Sequence, residues 1–311
     1  MQHPKVIHRL VTVTTLWISL AAGASVADAK IPPEALETIR HIAIQHNGRN
    51  KPFDSFAWET VDRLTGSPKL GHEDPVVTIL SILASPEPWQ DRPLIAVPFH
   101  PVRDALGMDP KATHISLNAI VATRKLMRML PALRDKLQRD EKLSMMEQET
   151  WDVFERFVLL NKLLQQELAL VPPPGSASLV WLPILKPEGY PEPQQLAIRS
   201  AWTELLTALQ ADQAPTITVA AQHLSGVLAE LQLGAYPARW RLQLEVAYNH
   251  LKPFQIARIL YALACLALLL GLAPARRQAA AAGIGLMLAA FLVHGVGIMT
   301  RVVLGDRKSV V

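Results

Sequence analysis

Ten histidines and a single cysteine bound the chemistry open to this chain of 311 residues. Cys265 stands alone, so the sequence holds no internal disulfide, no Cys-x-x-Cys redox pair and no Cys-x-x-Cys-His haem attachment site. The histidines include no His-x-x-x-His and no His-Glu-x-x-His, the spacings that set two imidazoles on one helix face for zinc. His41 and His46 are five apart and do not share a face. No metal site is expected. Serine, histidine and aspartate all occur, but without a Gly-x-Ser-x-Gly elbow to present a nucleophile.

Two places remain where residue type and setting suggest a function. The first is His294, inside an apolar stretch. Counting from Arg277 at about 1.5 Å per residue places it about 25 Å up a bilayer core about 30 Å thick. An ionisable group at that depth is a functional candidate. Arg301, seven residues on, lies on the same helix side, and Gly297 between them leaves room for a close helix or a flat ligand. A neutral imidazole serves as a haem axial ligand, so haem contact by His294 and Arg301 is the sharper expectation. A hydrogen bond to a neighbouring helix is the other. The second place is the segment Gln45 to Asp54, where His46, Asn47, Arg49, Lys51 and Asp54 are denser than a simple turn needs. It reads as a partner-binding surface, or as a capping and packing loop built on Asn47-Gly48 turn chemistry.

These residues need elements to hold them. Apolar stretches at Ile256 to Ala273 and Ala279 to Met299 flank the basic turn Pro274 to Gln278, each near the length that crosses a bilayer. They read as a transmembrane hairpin, with residues 302–311 as a short tail. At the other end Lys5, His8 and Arg9 precede the apolar run Leu10 to Ala22 and the small residues Ala27-Asp28-Ala29, so residues 1–29 read as a signal peptide. Residues 30–254 are then expected outside the cytoplasmic membrane, with Arg276 and Arg277 on its inner side. Helix periodicity appears at Glu34 to Ile44, Ser55 to Leu64 with Asp54 or Ser55 as N-cap, Val76 to Ala84, Ser116 to Leu130, Pro131 to Arg139, Ser144 to Leu170, Gln194 to Ala211, Ala214 to Leu231 and Ala238 to His250. Ser85 to Ile95 reads as extended with one short strand. The expected fold is mainly α: a helical exported domain with proline-rich connections, followed by the two-helix hairpin. Half the residues are apolar, 19% are charged, and the net charge of +4 comes from interleaved acids and bases, which argues against nucleic acid as a partner.

Several of these segments resemble one family. Gln45 to Arg49 with Lys51 to Ala57, then Asp74-Pro75-Val76, then Trp89 to Ile95, resemble the exported N-terminal region of large CcsA-type cytochrome c biogenesis proteins. Glu245 to Asn249 before Lys252-Pro253-Phe254 resembles the junction into that family's first membrane helix, and Phe291 to Gly297 leading to Arg301 resembles its next one. The resemblance implies system II cytochrome c maturation, in which haem is joined at the outer membrane face to exported apocytochrome c. Apocytochrome c, other cytochrome c assembly subunits and the membrane are the partners it implies, and haem the cofactor of the full-length protein. The family's tryptophan-rich haem-handling segment is absent, so no catalytic residue carries over, and His294 carries over only as a matching position. The tail from Asp306 to Val311 resembles translated sequencing adapter, so an N-terminal fragment is expected. The alternative is a complete membrane-anchored extracytoplasmic binding or scaffold protein unrelated to haem.

Overall fold

A computed structural model describes residues 31–175, 179–231, 236–272 and 276–305. The expected signal peptide, the start of the basic turn and the tail at 306–311 lie outside the described residues. The described chain is mainly helical, as its periodicity indicates. Helix α1 (Pro33–Arg40) has proline in its first turn, Glu34 beside it and Arg40 in its last turn, each at the end where it complements the helix dipole. It stops short of the expected Ile44, because Ile42, Ala43 and Ile44 are buried in succession. A helix with one apolar face cannot bury three consecutive side chains, whereas an extended segment covered on both sides can.

That segment opens a β-hairpin where a loop is expected. Strands β1 (Ala43–His46) and β2 (Arg49–Pro52) pair antiparallel, His46 opposite Arg49. Asn47 and Gly48 both adopt positive φ, 53° and 70°, which gives the two-residue turn whose twist matches the strands. Helix α2 (Phe53–Thr65) follows directly with Pro52 at its N-cap and no side-chain cap. Asp54 therefore sits inside the first turn instead of capping it, and its carboxylate is free for tertiary bonds.

Helix α3 (Pro75–Ala84) is capped by Asp74, which accepts from the Val76 amide at 2.9 Å. It carries no charged residue, and Val76, Ile79, Leu80, Ile82 and Leu83 are at most 1% exposed, so it is the central helix of the body. Each such side chain contributes roughly 1.5–3 kcal/mol. Around it pack α2, α8 (Met145–Leu164) and α9 (Glu192–Gln210). The proline-rich segment folds into α4 (Glu87–Gln90), β3 (Ile95–Ala96) and α5 (His100–Leu106), and β3 pairs with β4 (His114–Ile115). The strand near Ile95 is the expected one; α4 and α5 are additions, each starting with proline in its first turn, where the missing amide is no loss.

The next helices are α6 (Leu117–Thr123) and α7 (Lys125–Gln138), parted at Arg124 with φ 54° and not at Pro131. Pro131 is exposed within α7 and leaves the Met127 carbonyl without its usual helical donor. Ser144 and Glu147 form a reciprocal cap for α8, and the bond from Lys136, then those from Ser144, hold the Glu147 carboxyl down at about 2. Helix α8 ends at Leu164, before the expected Leu170, because Leu168 to Val171 run extended and Val171 bridges to Leu182. Then come α10 (Ala214–Glu230) and α11 (Arg239–Leu251).

Lys252, with φ 47°, breaks the chain between α11 and α12 (Pro253–Leu270), and α13 (Arg277–Gly305) returns alongside α12. Both are long and apolar enough to cross a membrane. They meet along small residues: Ala257, Ala264 and Gly271 on one, Gly283, Ala290 and Gly297 on the other, each set spaced by seven. Ala257, Ala264 and Ala290 are at most 2% exposed, and a Cβ on Gly283 would come within 2.7 Å of Leu268 Cγ. Absent side chains let the two backbones approach, which is how apolar helices associate where the hydrophobic effect offers little.

Candidate functional site

The segments singled out in the sequence converge where the helical body meets α12. Helix α11 turns Leu242, Glu245, Val246 and Asn249 toward the body, a spacing of three and four that makes one face. Glu245, only 7% exposed, accepts from Arg49 Nη2 at 2.6 Å and from Ser55 Oγ at 2.7 Å. Asn249 Nδ2 donates to the same Ser55 hydroxyl at 2.8 Å. One turn of α11 thus binds both the hairpin and the start of α2.

Beside it lies a buried charge network. Arg40 donates to the fully buried carboxylate of Asp54 and, through Nη2, to Asp74 Oδ2 at 2.5 Å. His250 Nε2 reaches the same Asp54 oxygen at 3.0 Å and stands 3.2 Å from Arg40 Nη1. Both nitrogens converge on Oδ1, while Asp54 Oδ2 is buried without a hydrogen-bond partner. Burial alone would lower the Arg40 pKa, but the bonds to Asp74 and the field of Asp54 outweigh it and hold the guanidinium charged. Asp54 and Asp74 sit at the N-terminal ends of α2 and α3, and Arg40 sits in the last turn of α1, so three helix dipoles favour the same charges. The network ties α1, α2, α3 and α11 at one point.

The five candidate hairpin residues separate by role. Asn47 is exposed at the tip. Arg49 pairs with Glu245, Lys51 is buried and donates to Glu59 at 2.5 Å, and Asp54 belongs to the network. The His46 ring meets Phe56 edge-on at 5.2 Å, with Nδ1 buried and unbonded. Burial first, then the charge of Lys51, push its pKa down. Sequence reading missed Arg40, Ser55 and His250. The signal for Arg40 was its place beside Ile39 on the apolar side of α1.

His294 lies against α12. Its ring meets Phe254 at 5.5 Å and Tyr261 at 6.1 Å, both edge-on, and Phe254 in turn meets Tyr248 of α11 at 6.3 Å. Space beside Gly297 is taken by Phe254 and Pro253, so the glycine serves the close helix and not a flat ligand. Arg301 is exposed. Among the described residues no group of three histidine, cysteine or carboxylate side chains is placed to hold a metal ion. Two open cavities, about 340 Å³ between α1 and α11 and about 310 Å³ beside α5 and α6, are not lined by His294. Neither cavity offers His294 a haem-sized space. No family model and no curated protein matches the chain.

Proposed function

We propose that the chain is a membrane-bound component of c-type cytochrome biogenesis in the bacterial cytoplasmic membrane. Its helical body lies on the outer face and holds apocytochrome c or another assembly subunit near the site of haem attachment. One observation supports this reading above others: segments that carry the family resemblance, some 200 residues apart, form one bonded unit. Arg49 and Asp54 of the hairpin region, Asp74, Glu245 and Asn249 of α11 are linked directly or through Arg40, Ser55 and His250. Phe254 then continues from this unit to His294. A rigid link between an outer domain and a membrane hairpin suits a protein that must hold a bulky substrate at a fixed height above the bilayer. Trp89 to Ile95 lies apart from this unit, with Arg92 stacked on Trp89 at 4.3 Å.

A membrane-anchored scaffold unrelated to haem is the second reading. The aromatic enclosure of His294 favours it, because that ring is already in use as a helix contact. Removing the chain from the cell distinguishes them: loss of covalently bound haem from c-type cytochromes supports the first reading, and unchanged haem content supports the second.

A further inference from the structure

Trp58 of α2 has two ammonium groups near one ring. Lys252 Nζ stands 5.1 Å from the ring centroid and Lys69 Nζ 5.7 Å from it. Both lysines are exposed, and neither forms an ion pair with a described residue. The Trp58 indole Nε1 is buried and has no acceptor. Two exposed ammonium groups on one indole, paired with no carboxylate among the described residues, form an arrangement that an anion completes.

The position of this cluster narrows the anion. Lys252 is the residue at the break before α12, the first of the two apolar helices. Gly297 of α13 backs onto Pro253 and Phe254, so Arg301, about one turn further along α13, falls near the level of Lys252. Arg258 lies about 9 Å along α12, exposed, and its side chain is long enough to extend back toward the boundary. Neither arginine forms an ion pair with a described residue. Lysine, arginine and tryptophan at this height are the residues that lie among lipid headgroups.

We infer that Lys69 and Lys252, held beside the Trp58 ring, form a binding site for the phosphate of an anionic phospholipid headgroup, with Arg258 and Arg301 adding positive charge near the same level. Bound lipid joins α2 of the body to the start of the hairpin and fixes the body against the membrane surface. Sequence alone hides the site, because Trp58 and Lys69 are nearly 200 residues from Lys252.

The test uses the full chain, purified in a neutral detergent and incubated with an equimolar mixture of phosphatidylglycerol and phosphatidylcholine. The lipid kept after washing is quantified by mass spectrometry. Native protein retains phosphatidylglycerol in excess, each lysine contributing a factor of roughly five, and K69Q/K252Q loses the excess while its thermal midpoint stays within a few degrees. Equal retention of the two lipids by the native chain overturns the assignment, as does an unchanged excess in K69Q/K252Q. Full displacement of phosphatidylglycerol by millimolar inorganic phosphate overturns it too, because the site would then prefer a free anion.

Discussion

Arg40 illustrates how one side chain decides the junction. It is 7% exposed and faces two carboxylates, Asp54 and Asp74, from the ends of different helices. Replacing it with leucine leaves Asp54 buried with only His250 beside it, so Arg40→Leu is expected to lower stability by about 3–5 kcal/mol, read from denaturant or thermal unfolding of the full chain in detergent. A loss below about 1 kcal/mol would show the pair to be far less committed than its burial indicates. His46 gives a pH signature. Its folded-state pKa is depressed by burial, so below about pH 6.5 the unfolded chain takes up a proton that the folded chain refuses. Stability contributed by neutral His46 is present above that pH and declines as pH falls through it. His46→Phe should flatten the decline between about pH 7 and 5, seen in the unfolding midpoint; an equal slope in the variant would place the titration elsewhere. Residue identity alone announced neither role: Arg40 reads as a helix-end cation, and His46 as one of several polar residues in a turn.

At the scale of elements, the long amphipathic helices and the two apolar ones were legible because their spacing repeats over ten or more residues. α3 was legible within a residue of its start, since Pro75 suits a first turn, while the Asp74 cap emerged only in the structure. What escaped was short structure decided by tertiary contact. The β1–β2 hairpin carries Asn47-Gly48, a strong turn signal, but its strands are four residues each, and the flanking charges hid the alternation. The charges are there because Arg49 and Lys51 have partners on α11 and α2, Glu245 and Glu59, that no local window contains. The α12–α13 seam was equally hidden, since the sequence marks these helices by length and not by which side is small. It makes a clear contrast. Gly283→Val would press a side chain against Leu268 and should separate the helices, lowering the thermal midpoint by several degrees. Gly285→Val, where a Cβ meets nothing within 4 Å, should leave it within a degree or two. Similar effects from both would place the helix contact on another face.

Across the whole molecule, the architecture is a helical body bolted to a hairpin long and apolar enough to cross a membrane. Arg40, Arg49, Asp54, Ser55, Glu245, Asn249 and His250 fasten α11 to the rest of the body, and the aromatic string from Tyr248 through Phe254 to His294 carries the contact on into the hairpin. Mainly helical class and the paired apolar helices could be read from the sequence. That widely separated segments would close on one another could not, because periodicity describes an element and says nothing of its neighbours. The central claim is a role in assembling c-type cytochromes, and covalent haem is its direct readout. In cells lacking this chain, haem bound to denatured c-type cytochromes should fall to a small fraction of normal while non-covalent haem proteins keep theirs, and the intact gene should restore it. Normal covalent haem in such cells would contradict the account and leave a membrane-anchored scaffold in its place.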